Sequence, residues 1–180
     1  MGRVMAEDDA FGVVVAAHHA EIHRYLVRVT SRPSDADDLS QETFLRAFRA
    51  HRALPPGANV RAWLFTIATN LCRNHFRGEK RRRLAMAAAG AEPTPSPGDR
   101  PDGHLLLQEA GAQIEAIVRA LPMKQRLAFI MRKLHDLDYD AIGGSLDCSG
   151  ESARAHVFQA LRKIRRGLDD RAAAPTEVTP

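Results

Sequence analysis

Cysteine is scarce in this chain. The 180 residues hold two, Cys72 and Cys148, which fit neither a disulfide framework nor a paired zinc-ligand spacing, so a reducing cytoplasm is the expected setting. Long apolar runs are also missing. The longest near the start, Val13 to Ala17, stops at His18-His19, far short of the roughly 20 residues of a spanning helix. A secretory signal or a membrane segment is therefore not expected. There is no internal repeat, and no segment alternates polar with apolar as a half-buried strand would, which points to an all-α fold. A phosphate-binding glycine loop, paired carboxylates in an apolar setting and a nucleophile–base constellation are all lacking, so enzymatic activity and a cofactor are not expected. His19 and His23 lie four apart on a helix, but no third ligand follows at a standard spacing, and no metal is expected.

What the chain does have is charge in blocks. The net charge is +4 and the isoelectric point near 9.5. Arg61, Arg73, Arg77, Lys80, Arg81, Arg82 and Arg83 stand against Glu79 alone in one block, while Asp35, Asp37, Asp38 and Glu42 crowd another. An acidic patch and a basic patch suggest different partners for each.

The sharpest pattern runs from Asp136 to Arg166, DLDYDAIGGSLDCSGESARAHVFQALRKIRR. Tyr139, Ile142 and Leu146 repeat at helical spacing, and Ala153, Val157, Ala160/Leu161, Ile164 and Leu168 mark a stripe on a second helix. Asp147-Cys148-Ser149-Gly150 between them reads as a turn in which Ser149 caps the second helix. Glu151, Ser152, Arg154, Ala155, Phe158 and Gln159 then face away from the stripe. A capped second helix with a polar, arginine-bearing start is what a helix-turn-helix inserts into the major groove.

Upstream, Phe11 to Val29 reads as a helix after a loose end at 1–8, and Ser34 as the start of the next, with acids in its first turn. On that helix Leu39, Thr43, Phe44, Ala47 and Phe48 are expected inward. Asp38, Gln41, Glu42, Leu45 and Arg49 share another side, where an apolar Leu45 among charges marks a docking surface. After the loop LPPGAN, a helix carries an inward stripe from Trp63 to Cys72 and an outer side of Asn70, Arg73, Asn74, Arg77 and the Lys80–Arg83 cluster. Amides, aromatics and arginines together suit single-stranded nucleic acid. Proline, glycine and small residues dominate 85–103, a flexible linker by composition. A helix over 104–121, one opened by Pro122 at its first position and the helix-turn-helix follow. The reading is two small helical domains, 8–84 and 105–169, joined by a linker at 85–104 and followed by a disordered tail at 170–180.

The ordered set DADDLSQETFLRAF, RAWLFTIATNLCRNHFR and LPMKQRLAFIMRKLHDLDYDAIGGSLDCSGESARAHVFQALRKIR resembles bacterial RNA polymerase sigma factors of the extracytoplasmic-function (ECF), sigma-70-like group. The resemblance covers about residues 11–83 and 106–168. It implies a non-catalytic initiation factor whose first domain binds the clamp of core RNA polymerase and captures the melted −10 element. The second domain would bind the −35 element and the flap, and an anti-sigma factor would be a further partner. Carried over by position, Asp38, Gln41, Glu42 and Leu45 fall in the clamp-binding helix. Asn59 falls where such proteins pocket a flipped base, and Arg61, Trp63, Asn70, Arg73, Asn74, Arg77 and Lys80 fall along the −10 strand. Ser152, Arg154, Ala155, Phe158, Gln159 and Arg162 fall on the −35 surface.

The chain departs from the family pattern in three places. Asp147 stands where the turn usually has glycine, Arg154-Ala155-His156 replaces a basic residue, serine and arginine, and LPPGAN replaces a more polar loop. These imply altered base preferences, and Gly143-Gly144 implies a softer first helix. The alternatives are a stand-alone helix-turn-helix regulator, which needs a dimerisation element, and a sigma-mimicking adaptor, which has no use for the basic surface.

Overall fold

The computed structural model describes the backbone of residues 2–89 and 105–172 and the side chains of 11–89 and 111–170. Among these there are seven α-helices, one short 3₁₀ turn and no strand. The first unit comprises α1 (Gly2–Thr30), α2 (Pro33–Ala50), the turn His51–Ala53 and α3 (Val60–Ala88). The second comprises α4 (Leu105–Ala120), α5 (Met123–Leu134), α6 (Tyr139–Leu146) and α7 (Gly150–Ala172).

Several helix ends differ from the sequence reading for identifiable reasons. α1 reaches back to Gly2, through the stretch expected to be loose. α2 starts at Pro33, with Arg32 as N-cap, one residue before Ser34; proline's fixed φ and missing N–H suit the first helical position. Pro122 is the N-cap of α5, not its first residue. α3 continues to Ala88, four residues into the expected linker. The rest of that linker, residues 90–104, and the tail beyond Ala172 lie outside the described residues.

Each helix buries the expected stripe with small changes. α2 buries Ala36, Ser40, Thr43, Phe44 and Ala47, but Phe48, expected inward, is 42% exposed. α3 buries Leu64, Phe65, Ala68, Thr69, Leu71 and Cys72, with Trp63 and Ile67 packed at the margin. On α7, Ala153, Val157, Ala160 and Ile164 are buried while Leu161 and Leu168 remain 40% and 37% exposed.

The two units pack against each other. One cluster of buried side chains runs from Tyr25, Leu26 and Phe65 of the first to Leu127, Met131 and Ile142 of the second, with α6 against α3 and α5 against α1. Cys72 lies inside it as a free thiol that burial pushes up to about 12, which keeps it protonated and unreactive.

Gly143 is not the soft spot expected from its helix propensity. A Cβ there would stand 2.7 Å from the Cys148 carbonyl oxygen, 2.9 Å from the Ser149 carbonyl carbon and 3.0 Å from the Gly150 nitrogen. The turn thus closes directly onto this glycine, and the obstacles are backbone. Gly144 next to it meets nothing within 4 Å. Gly143→Ala is expected to cost about 1–3 kcal/mol by overpacking, and Gly144→Ala to gain up to about 1 kcal/mol from helix propensity. Urea unfolding of both variants separates them; equal effects would mean that propensity alone acts at the pair.

Candidate nucleic-acid interface

The helix-turn-helix is assembled by two caps and a strained turn. Asp138 accepts from the Ala141 N–H at 2.7 Å to start α6. Ser149 Oγ accepts from the Ser152 N–H at 3.1 Å to start α7, the cap expected from sequence. Asp147 between them takes φ 51°, ψ 56°, a left-handed conformation that favours glycine. Arg154, Ala155, Phe158 and Gln159 share the exposed side of the first three turns of α7, with Ser152 at its start and Arg162 further along. Phe158 is 65% exposed. The Arg154 guanidinium lies over the Tyr139 ring of α6 at 5.0 Å. Gln159 accepts from Gln125 Nε2 at 2.6 Å.

The second candidate surface divides in two. Asn70, Asn74, Arg77 and Lys80 are exposed along α3. Arg61 and Arg73, expected beside them, are drawn into the seam between the units. Arg73 pairs with Asp147 at 2.6 Å. Arg61 donates to both Glu21 oxygens, at 3.0 and 2.6 Å, and to the His135 carbonyl oxygen. The remaining two expected residues have structural contacts. Asn59 caps α3, its Oδ1 accepting from the Ala62 N–H at 2.9 Å, and Trp63 packs against the core.

Sequence reasoning missed the seam residues themselves. Glu21 on α1 reaches the His135 ring across it at 3.3 Å, and Thr66 on α3 meets Ser145 on α6 at 3.0 Å, oxygen to oxygen. The Arg61 hydrogen bond holds the Glu21 carboxyl below its usual range despite burial. Burial pushes the His135 ring down, favouring its neutral form, although Glu21 pulls the other way. The Arg73 hydrogen bond lowers the Asp147 carboxyl. No local pattern points to these contacts, because each joins residues 40 or more apart in sequence.

The acidic helix presents the expected side. Asp38, Gln41 and Leu45 are exposed, and Glu42 is half-buried and bonded to Arg46 Nε at 2.6 Å. Leu45 and Phe48 border a groove of about 820 Å³ between α1 and α2, floored by Phe11, Val15 and Phe44. His23 at its rim is committed to Asp37 at 2.7 Å. Elsewhere Asp35, His75 and Glu79 bring donor atoms within 4.8 Å of one another. Sequence did not suggest this trio, and the Arg32 guanidinium sits 3.6 Å from Asp35 and 3.1 Å from Glu79.

Comparison with known proteins matches residues 14–82 to sigma-70 region 2 and residues 111–164 to sigma-70 region 4. The ECF RNA polymerase sigma factor SigE of Mycolicibacterium smegmatis is 29% identical over 84% of this chain, which spans 59% of that protein's length. The ECF RNA polymerase sigma-E factor of Escherichia coli K12 is 27% identical, over 88% of this chain and 86% of its own. Among solved structures, the sigma factor RpoE in complex with the anti-sigma factor NepR from Bartonella quintana aligns with a TM-score of 0.69 at 23% identity, covering 89% of this chain and 97% of its own. CnrH in complex with the cytosolic domain of CnrY aligns at 0.66 and 22%, covering 93% and 91%. At these identities the structural likeness establishes a shared fold.

Proposed function

This chain belongs to the ECF group of sigma-70-like RNA polymerase sigma factors, and we propose that it binds core RNA polymerase, recognises promoter DNA and directs its melting and the start of transcription. In this reading the α2 side at Asp38, Gln41, Glu42 and Leu45 docks on the polymerase clamp. The α3 side takes the melted −10 strand, α7 reads the −35 duplex, and the second unit meets the flap. The protein contributes no catalytic group of its own. Its place of action is the cytoplasm with the polymerase, and among the described residues no helix is long and apolar enough to cross a membrane. Extension from the solved RpoE–NepR complex adds an anti-sigma factor as a partner.

The observation that carries the reading is the coexistence, in family order, of an exposed basic helix and a capped helix-turn-helix whose first turns face solvent. Two modest DNA contacts on one chain become specific when a third body fixes their spacing, and core polymerase supplies that body. Reconstitution with core polymerase, followed by genome-wide mapping of transcription starts, tests the whole. Aligned starts sharing two upstream elements are expected. Transcripts no different from those of core alone would sink it.

The reading surface makes a narrower test. Arg154 lies one turn into α7, and arginine commonly meets guanine with two hydrogen bonds, worth about 1–3 kcal/mol of discrimination. Arg166 lies far along the helix, where phosphate contact positions without specifying. Arg154→Ala is expected to relax preference at one −35 position. Arg166→Ala is expected to weaken all promoters alike and lower the salt slope by about one unit. A promoter library scored with both variants distinguishes the roles. A uniform loss with Arg154→Ala would mean that it grips phosphate.

A further inference from the structure

The seam between the units holds a feature that neither polymerase docking nor promoter reading uses. Arg126 on α5 is 7% exposed. Its guanidinium lies over the Phe76 ring of α3 at 4.9 Å. Its contacts are weak: the Arg119 carbonyl oxygen at 3.4 Å and Met123 Sδ at 3.5 Å, and Nε finds no acceptor. Among the described residues no carboxylate pairs with it, and burial pulls its pKa down. An arginine stays charged under almost any surroundings, so a buried guanidinium without an anion is costly to hold.

Arg126 opens on a cleft of about 410 Å³ between the units, into which Arg32 and Arg83 reach from the first unit and Arg119 from the second. The two carboxylates there, Asp35 and Glu79, are already held by Arg32. Arg83, Arg119 and Arg126 therefore present three guanidinium groups that no carboxylate among the described residues neutralises. Guanidinium forks match the oxygens of a phosphoryl group and bind it by paired, charge-assisted hydrogen bonds.

We propose that this cleft is a binding site for a small phosphoryl anion that bridges the two units. Its volume admits a pyrophosphate or a mononucleotide. Arg126 is itself only 7% exposed within this cleft, which favours a small free anion over a strand. Because Arg83 belongs to one unit and Arg119 and Arg126 to the other, a bound anion ties α3 to α4 and α5. It stabilises the packed arrangement by an amount that rises with the logarithm of its concentration above the dissociation constant. The site goes beyond the promoter-recognition reading and does not depend on it, since binding is read on the protein alone.

The test is a titration of the full chain with inorganic pyrophosphate at constant ionic strength, by calorimetry and by thermal melting, with sodium chloride as the matched control. Saturable one-to-one binding is expected, with a melting midpoint that rises with pyrophosphate and not with chloride. The exposed pair Arg83→Ala/Arg119→Ala removes two of the three forks without disturbing the core and is expected to weaken binding at least tenfold. Arg126→Gln should do the same, and the double variant decides if Arg126→Gln fails to fold. A shift that merely follows ionic strength, or unchanged affinity in the double variant, would overturn the proposal. Displacement of pyrophosphate by an equimolar single-stranded oligonucleotide would overturn it too, by giving the site to nucleic acid.

Discussion

Oxidation of a Thr66→Cys/Ser145→Cys variant is expected to abolish promoter-directed transcription, and reduction to restore it. The two hydroxyl oxygens stand 3.0 Å apart across the seam, Thr66 on α3 and Ser145 on α6. Sulfurs on the same Cβ atoms start close to the disulfide length of about 2.05 Å, and formation of the bridge is checked by gel before transcription is measured. The bond would hold α6 where Asp147 occupies Arg73 at 2.6 Å and the His135 backbone occupies Arg61. Those arginines are two of the residues proposed for the melted strand, and on that proposal a strand phosphate has to displace the Asp147 carboxylate from Arg73. The locked units would also be unable to separate along the promoter, so both DNA contacts could not be made at once. The loss should match the cross-linked fraction, more than tenfold when over about nine-tenths is bridged, since only the open remainder can act. Cys72 is buried with its thiol held protonated and does not compete; the partly exposed Cys148 is replaced by serine in the parent. Protein shown by gel to be fully bridged, yet transcribing at the reduced rate, would mean that the packed arrangement is competent as it stands.

The legible part of this structure is the local part. Ser149 reads as a cap because its hydroxyl needs only the N–H three residues on. The α7 stripe reads because four of its members recur on one face of one helix. Asp147 reads as a departure from glycine, but nothing nearby says that its carboxylate satisfies Arg73 on another helix. Gly143 reads as a weakness because propensity considers a helix alone, whereas the turn backbone at 2.7 Å turns it into a requirement. Glu21 is less legible still. In sequence it is a charged residue on an amphipathic helix, and its partners are Arg61 and His135, which folding alone brings near. Phe48 fits the α2 stripe by periodicity and is nevertheless 42% exposed, because among the described residues no helix covers the groove it borders.

That groove and the acids beside it bear on the second large effect. Asp38→Arg combined with Glu42→Arg is expected to weaken binding to core polymerase by roughly 30- to 5,000-fold. This is the effect of losing about 2–5 kcal/mol when a charge contact in an interface is broken. The fold should survive. Asp38 is exposed and lies beyond the first turn of α2, where the helix dipole adds little. Glu42 is half-buried, with its carboxylate turned to Arg46. The double reversal sets three arginines at successive spacings of four, at 38, 42 and 46, a cost of a few tenths of a kcal/mol per pair, small beside the stability of a domain of this size. Leu45, 43% exposed, and the groove behind it should continue to contribute, so the variant is expected to bind weakly and not to lose binding altogether. Raised salt should weaken the wild type toward the variant, because the difference between them is electrostatic. Core affinity by fluorescence anisotropy, read beside circular dichroism and the melting midpoint, decides the point. A native spectrum with unchanged affinity would remove α2 from the polymerase interface and leave its acidic side as ordinary solvated surface.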